Sequence, residues 1–82
     1  MKVVLLPQAQ HDLDAIFDPL LTRVVKRLRM LERFPGFGAP MIGRFRGYRS
    51  TVVGIFRVVY RTLPSGTVEI AYIRNCRRAP LS

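Results

Sequence analysis

The chain has 82 residues, 49% of them hydrophobic, and its 14 Lys/Arg against 5 Asp/Glu give a net charge of +9. This length predicts a single domain over residues 1–82 with a modest core, and the hydrophobic content excludes a disordered chain. The lone cysteine, Cys76, excludes an internal disulfide and a cysteine-based metal site. Neither a metal nor another cofactor is expected, and the default setting is cytoplasmic.

Val3-Val4-Leu5-Leu6 reads as a first strand stopped by Pro7, too short for a signal segment or a membrane span. No membrane association is therefore expected. Pro7 suits the first turn of a helix, and Ala9, Leu13, Ile16, Phe17 and Leu20 recur at helical spacing behind it. Asp18-Pro19 breaks that pattern: Asp18 is a good N-cap and Pro19 a good first residue for a second helix. The apolar stripe of this helix is Leu21, Val24, Val25, Leu28 and Leu31, with Lys26, Arg29 and Arg33 off it. Phe34 to Pro40 is a Pro/Gly-rich loop in which Phe37 is expected to plug the core.

From Arg44 the hydrophobic period changes to two, predicting strands at about 45–52, 55–62 and 67–75. Gly54 and the Leu63-Pro64-Ser65-Gly66 stretch mark the turns between them. The resulting expectation is an α+β fold, β-α-α-β-β-β, with a helical hairpin packed on one face of a small, mainly antiparallel sheet. Strict alternation puts Phe56, Val58 and Tyr60 on one face of their strand and Arg57 and Arg61 on the other. In the last strand it groups Val68, Ile70 and Tyr72 against Glu69, Ala71 and Ile73, and gives Arg77 the parity of Ile73.

Charge is unevenly spread. Residues 1–41 hold six Lys/Arg and four Asp/Glu, a net of +2, whereas residues 42–82 hold eight Arg and one acid, Glu69, a net of +7. An arginine-rich surface of this kind faces an anionic partner, nucleic acid or an acidic protein.

Several segments resemble, in the right order along nearly the whole chain, the RelE/ParE family of bacterial toxins. Leu6-Pro7-x-Ala9-x-x-Asp12-Leu13 is similar to the opening of that family's first helix. Phe34-Pro35-Gly36-Phe37-Gly38 is similar to the exit from its second. Gly54-Ile55-Phe56-Arg57-Val58-Val59-Tyr60-Arg61 looks like its arginine-bearing strand, and Ile73-Arg74-Asn75-Cys76-Arg77-Arg78 resembles its basic terminus. The resemblance implies the same fold and an acidic antitoxin that wraps the chain in a heteromeric toxin–antitoxin complex. It also implies one of two activities. RelE-like members bind in the ribosomal decoding site and cut messenger RNA, whereas ParE-like members inhibit DNA gyrase and are not nucleases.

Metal-free RNA cleavage requires deprotonation of the 2′-hydroxyl, stabilisation of the crowded phosphate and protonation of the 5′-oxygen. Arginine suits the second task, since its planar fork pairs with phosphate. By the resemblance, Arg57 matches the arginine at the scissile phosphate and Arg77 the terminal arginine. Arg49 lies where some ribonuclease members carry a basic residue in the preceding strand. Arg61, Arg78, Arg74 and Arg46 are further candidates for contact with RNA or another target. The acid–base pair departs from the pattern: Cys76 stands at the family's histidine position, and no tyrosine follows the terminal arginines. His11 belongs to the first helix, and Glu69 is either a base or a local ion partner of an arginine. Tyr48, Tyr60 and Tyr72 read as sheet residues. The leading expectation is a ribosome-dependent messenger RNA endoribonuclease; gyrase inhibition and a non-catalytic nucleic-acid-binding module are the alternatives.

Overall fold

The computed structural model describes residues 2–76. In chain order the elements are β1 (Val3–Leu5), α1 (Pro7–Asp14), α2 (Leu20–Arg33), β2 (Ala39–Pro40), a 3-10 turn (Gly43–Phe45), β3 (Arg49–Val53), β4 (Phe56–Thr62) and β5 (Val68–Asn75). The strands form one five-stranded sheet in the order β1-β5-β4-β3-β2. β1 runs parallel to β5, and the other neighbours are antiparallel.

The expected β-α-α-β-β-β framework is present, with one short edge strand added. β2 has two residues, Ala39 and Pro40, paired with Ser50 and Arg49. Proline is tolerated there because it sits at a sheet edge, where no neighbour needs its missing N–H. β3 begins at Arg49 rather than near residue 45; the preceding segment is instead curled, with Gly43 and Gly47 at positive φ.

α1 is shorter than its apolar spacing predicts and stops at Asp14. Ile16 is still buried, but Phe17 projects from the inter-helix turn and is 82% exposed. The Asp18 carboxylate accepts hydrogen bonds from the backbone N and the hydroxyl of Thr22 (3.0 and 2.6 Å), serving the orphan donors of the first turn of α2. Val24, Leu28 and Leu31 form the buried stripe of α2. They meet Ala9 and Ile16 from the α1 side and Val53, Val58, Tyr60, Val68, Ile70 and Ile73 from the sheet. Both helices therefore cover the same face.

Alternation holds throughout β4 but fails in β5. Val59 pairs with Tyr72 and Tyr60 with Ile70, so Ala71 is bulged out of register. This reverses the expected grouping beyond residue 71: Ile73 turns into the core, and Tyr72 and Arg74 face the other side. The bulge has a partner in α1, where the Asp12 carboxylate accepts a hydrogen bond from the backbone N of Ile73 at 3.0 Å. Arg77, whose side was inferred from Ile73, lies outside the described residues.

Candidate nucleic-acid interface

The face of the sheet away from the helices is built from three successive cross-strand rows. Arg57 of β4 stands opposite Arg74 of β5, Val59 opposite Tyr72, and Arg61 opposite Glu69. Phe45 and Tyr48, in the segment leading into β3, fold over this face. The Phe45 ring lies edge-on to Tyr48 at 6.4 Å and to Tyr72 at 6.1 Å between centroids. This aromatic cover accounts for Val59, which is fully buried yet outside the main core.

Two arginines lie on the aromatic faces. The Arg61 guanidinium is 5.3 Å from the Tyr48 centroid and that of Arg74 is 4.9 Å from Tyr72. Their electrostatics differ. Arg61 donates from Nε to the Glu69 carboxylate at 2.8 Å, a hydrogen bond and charge pairing that raise the Arg61 pKa above its ordinary value. Glu69 is thus engaged as an ion partner. Arg74 is exposed and has no carboxylate partner among the described residues.

Arg57 is different again. It is half-buried between Val52 and Arg74, and its Nε is shielded from solvent without any hydrogen-bond partner among the described residues. A buried unsatisfied donor on a charged group costs on the order of 1–3 kcal/mol.

The remaining candidates separate from this group. Arg49 pairs with Tyr60 and so lies on the helix side of the sheet, where its Nη1 donates to the carbonyl of Gly38 at 2.7 Å. Across the sheet from Arg57, it fastens the loop after α2. Arg46 is exposed in the turn before β3. Arg77 and Arg78 lie outside the described residues. Cys76 is half-buried, and its N–H donates to the carbonyl of Ile55. His11 borders a cleft with Asp12, Ile16, Phe56 and Asn75 on the helix-covered side. Phe37 does not plug the core: it is 54% exposed, with the Arg27 guanidinium 5.1 Å above its ring. Among the described residues no cluster of His, Cys, Asp or Glu is arranged to hold a metal, and no helix is long and apolar enough to cross a membrane.

Other motif residues prove to be scaffold. The Tyr60 hydroxyl is buried; it donates to the carbonyl of Pro35 (2.7 Å) and accepts from the N–H of Gly38 (2.8 Å). A Cβ on Gly38 would come within 2.7 Å of that hydroxyl and 2.8 Å of the Ser50 carbonyl, so only glycine fits. What the sequence did not reveal is the aromatic group: Tyr72 is turned outward by the bulge, and Phe45 comes from a turn.

The model of the ParE toxin of the type II toxin–antitoxin system parDE matches residues 3–80. Among solved structures, the toxin–antitoxin complex RelBE2 of Mycobacterium tuberculosis is similar, with a TM-score of 0.81, 27% identity, and 90% of this chain and 95% of that chain covered. The chromosomal ParDE system of P. aeruginosa matches with a TM-score of 0.72, 20% identity and coverage of 92% and 95%. The intact E. coli RelBE complex matches with a TM-score of 0.74, 12% identity and coverage of 88% and 92%. No curated protein matches the sequence.

Proposed function

Because the chain belongs to the ParE toxin family of type II toxin–antitoxin systems, we propose that it is a cytoplasmic toxin that arrests translation by engaging and cutting messenger RNA on the ribosome through the open face of its sheet. The observation that carries this reading is Arg57, whose Nε is buried and has no partner among the described residues, beside the exposed Arg74. Two adjacent guanidinium forks without a carboxylate between them suit a phosphate, and more so the extra charge of the pentavalent phosphorane. The aromatic group beside them suits unpaired bases, as single-stranded RNA recognition requires. By the family resemblance, the terminal arginines Arg77 and Arg78, outside the described residues, are further candidates for target contact.

The solved relatives named above are complexes with antitoxins. By analogy this chain is neutralised by an acidic antitoxin. Clefts along α2, one lined by Leu21, Val25, Lys26 and Arg29 with Asp18 at its side and the next by Val3, Leu5, Val25 and Arg29 with Glu32, offer apolar surface beside basic side chains for such a partner.

A second reading, inhibition of DNA gyrase, is favoured by two observations. The matching family model is that of ParE, and the one carboxylate of the open face, Glu69, is tied to Arg61 rather than free to take a proton.

Inducing the chain alone in bacteria while following amino-acid and thymidine incorporation separates the two. The expected result is an early stop in protein synthesis with new 5′ ends in translated messages. An early stop in DNA synthesis with intact messages overturns the ribonuclease reading. Arg57→Ala is expected to abolish growth arrest without lowering stability, because it removes a shielded Nε donor that has no partner among the described residues.

A further inference from the structure

The open face carries a second kind of recognition beside its phosphate-seeking arginines. Two tyrosine–arginine stacks, Tyr48 with Arg61 and Tyr72 with Arg74, stand side by side and are joined by the Phe45 ring, which meets both tyrosines edge-on. Along β4 the three rows are two residues apart, about 7 Å from one to the next. The Tyr72 row immediately follows the Arg57/Arg74 row. We propose that these stacks are a two-position nucleobase-binding site, taking consecutive unpaired bases of a single RNA strand whose phosphate lies at Arg57; this rests on the messenger RNA reading above.

The geometry distinguishes the two positions. In the Tyr48 position the guanidinium is clamped, since Arg61 is hydrogen-bonded to Glu69. A base there stacks on the outer face of a fixed guanidinium plane, with the tyrosine as its backing. In the Tyr72 position Arg74 has no carboxylate clamp among the described residues. It is free to leave the ring face for a phosphate, and a base then takes its place on Tyr72. Aromatic rings and guanidinium planes both accept any base by stacking, so the site selects single strands rather than a sequence.

The test uses the full-length chain separated from its antitoxin and a short oligoribonucleotide carrying 2-aminopurine, whose fluorescence is quenched when the base stacks. Quenching is expected on binding. Tyr72→Leu and Tyr48→Leu, which keep apolar bulk over Val59, are each expected to weaken affinity about tenfold or more and to reduce the quenching. Their affinity should fall with salt as steeply as that of the wild type, because the phosphate contacts remain. Tyr72→Phe should restore both affinity and quenching. Unchanged affinity and quenching in the folded leucine variants overturns the stacking site; if those variants also still arrest translation, the messenger RNA reading survives without it. Stronger quenching by the matching deoxyribo-oligonucleotide overturns the assignment to RNA. Failure of the wild type to bind the ribo-oligonucleotide, together with an early stop in DNA synthesis, removes both.

Discussion

On the helix-covered face of the sheet the buried polar side chains are tied into the fold, whereas on the open face the shielded Nε of Arg57 has no partner among the described residues. The Tyr60 hydroxyl, fully buried, makes two hydrogen bonds to the loop after α2. Thr51, also buried, accepts a hydrogen bond from Arg27. Three residues along β4 from Tyr60, on the opposite face, the Arg57 Nε has no partner among the described residues. Tyr60 and Arg57 belong to the same sequence motif and the same strand, yet one holds the fold and the other does not. A motif is thus two superimposed patterns: strand alternation sends structural members inward and chemical members outward.

This division is open to direct attack, beginning where the largest loss of stability is expected. Ile70→Ala should destabilise the protein by about 3 kcal/mol or more, since it empties a fully buried position between α1 and the sheet. For a chain of this size that lowers the thermal midpoint by on the order of 10–20 °C. Tyr60→Phe should cost about 2 kcal/mol by stranding the Gly38 N–H and the Pro35 carbonyl. An unchanged melting temperature in this variant would show that the loop does not depend on the hydroxyl. Asp12→Ala should cost about 1 kcal/mol, with the effect concentrated at the bulge. Hydrogen exchange at the Ile73 amide is its readout: exchange accelerating there more than elsewhere in β5 supports the tether, and uniform exchange counts against it. Arg57→Ala is the opposite extreme, with no loss of stability and the largest effect on growth arrest. A large fall in its melting temperature would erase the contrast between the faces.

Much of the architecture was legible because it rests on local periodicity. The α2 stripe and the alternation in β4 were correctly read, since each depends on spacing within one element. The failures share a cause in contacts between distant parts of the chain. The β5 bulge is met by Asp12, 61 residues before Ile73, so alternation alone predicted the wrong side for Tyr72 and Ile73. The pairing of β2 depends on β3 rather than on its own Ala-Pro sequence. Phe37 looks like a core residue by composition, but the core beneath it is closed by Tyr60 and Gly38, leaving it outside against Arg27. Within the site, the resemblance singled out Arg57, and parity gave it and Arg61 their side of β4. Arg49 lies on the other side, and the Phe45–Tyr48–Tyr72 group required the fold, because its members come from a turn, a loop and a bulged strand.

Arg27 has a consequence for the free edge of the sheet. β2 pairs with only the first two residues of β3, leaving the edge at Thr51–Val53 without a neighbouring strand. An uncovered edge is a template on which another polypeptide can add by backbone pairing. Arg27 reaches across from α2 and donates to the Val52 carbonyl at 3.2 Å, presenting a cation where such a strand would have to approach. That one side chain, reaching over from the helix layer, puts a positive charge on the stretch of β3 that β2 leaves unpaired.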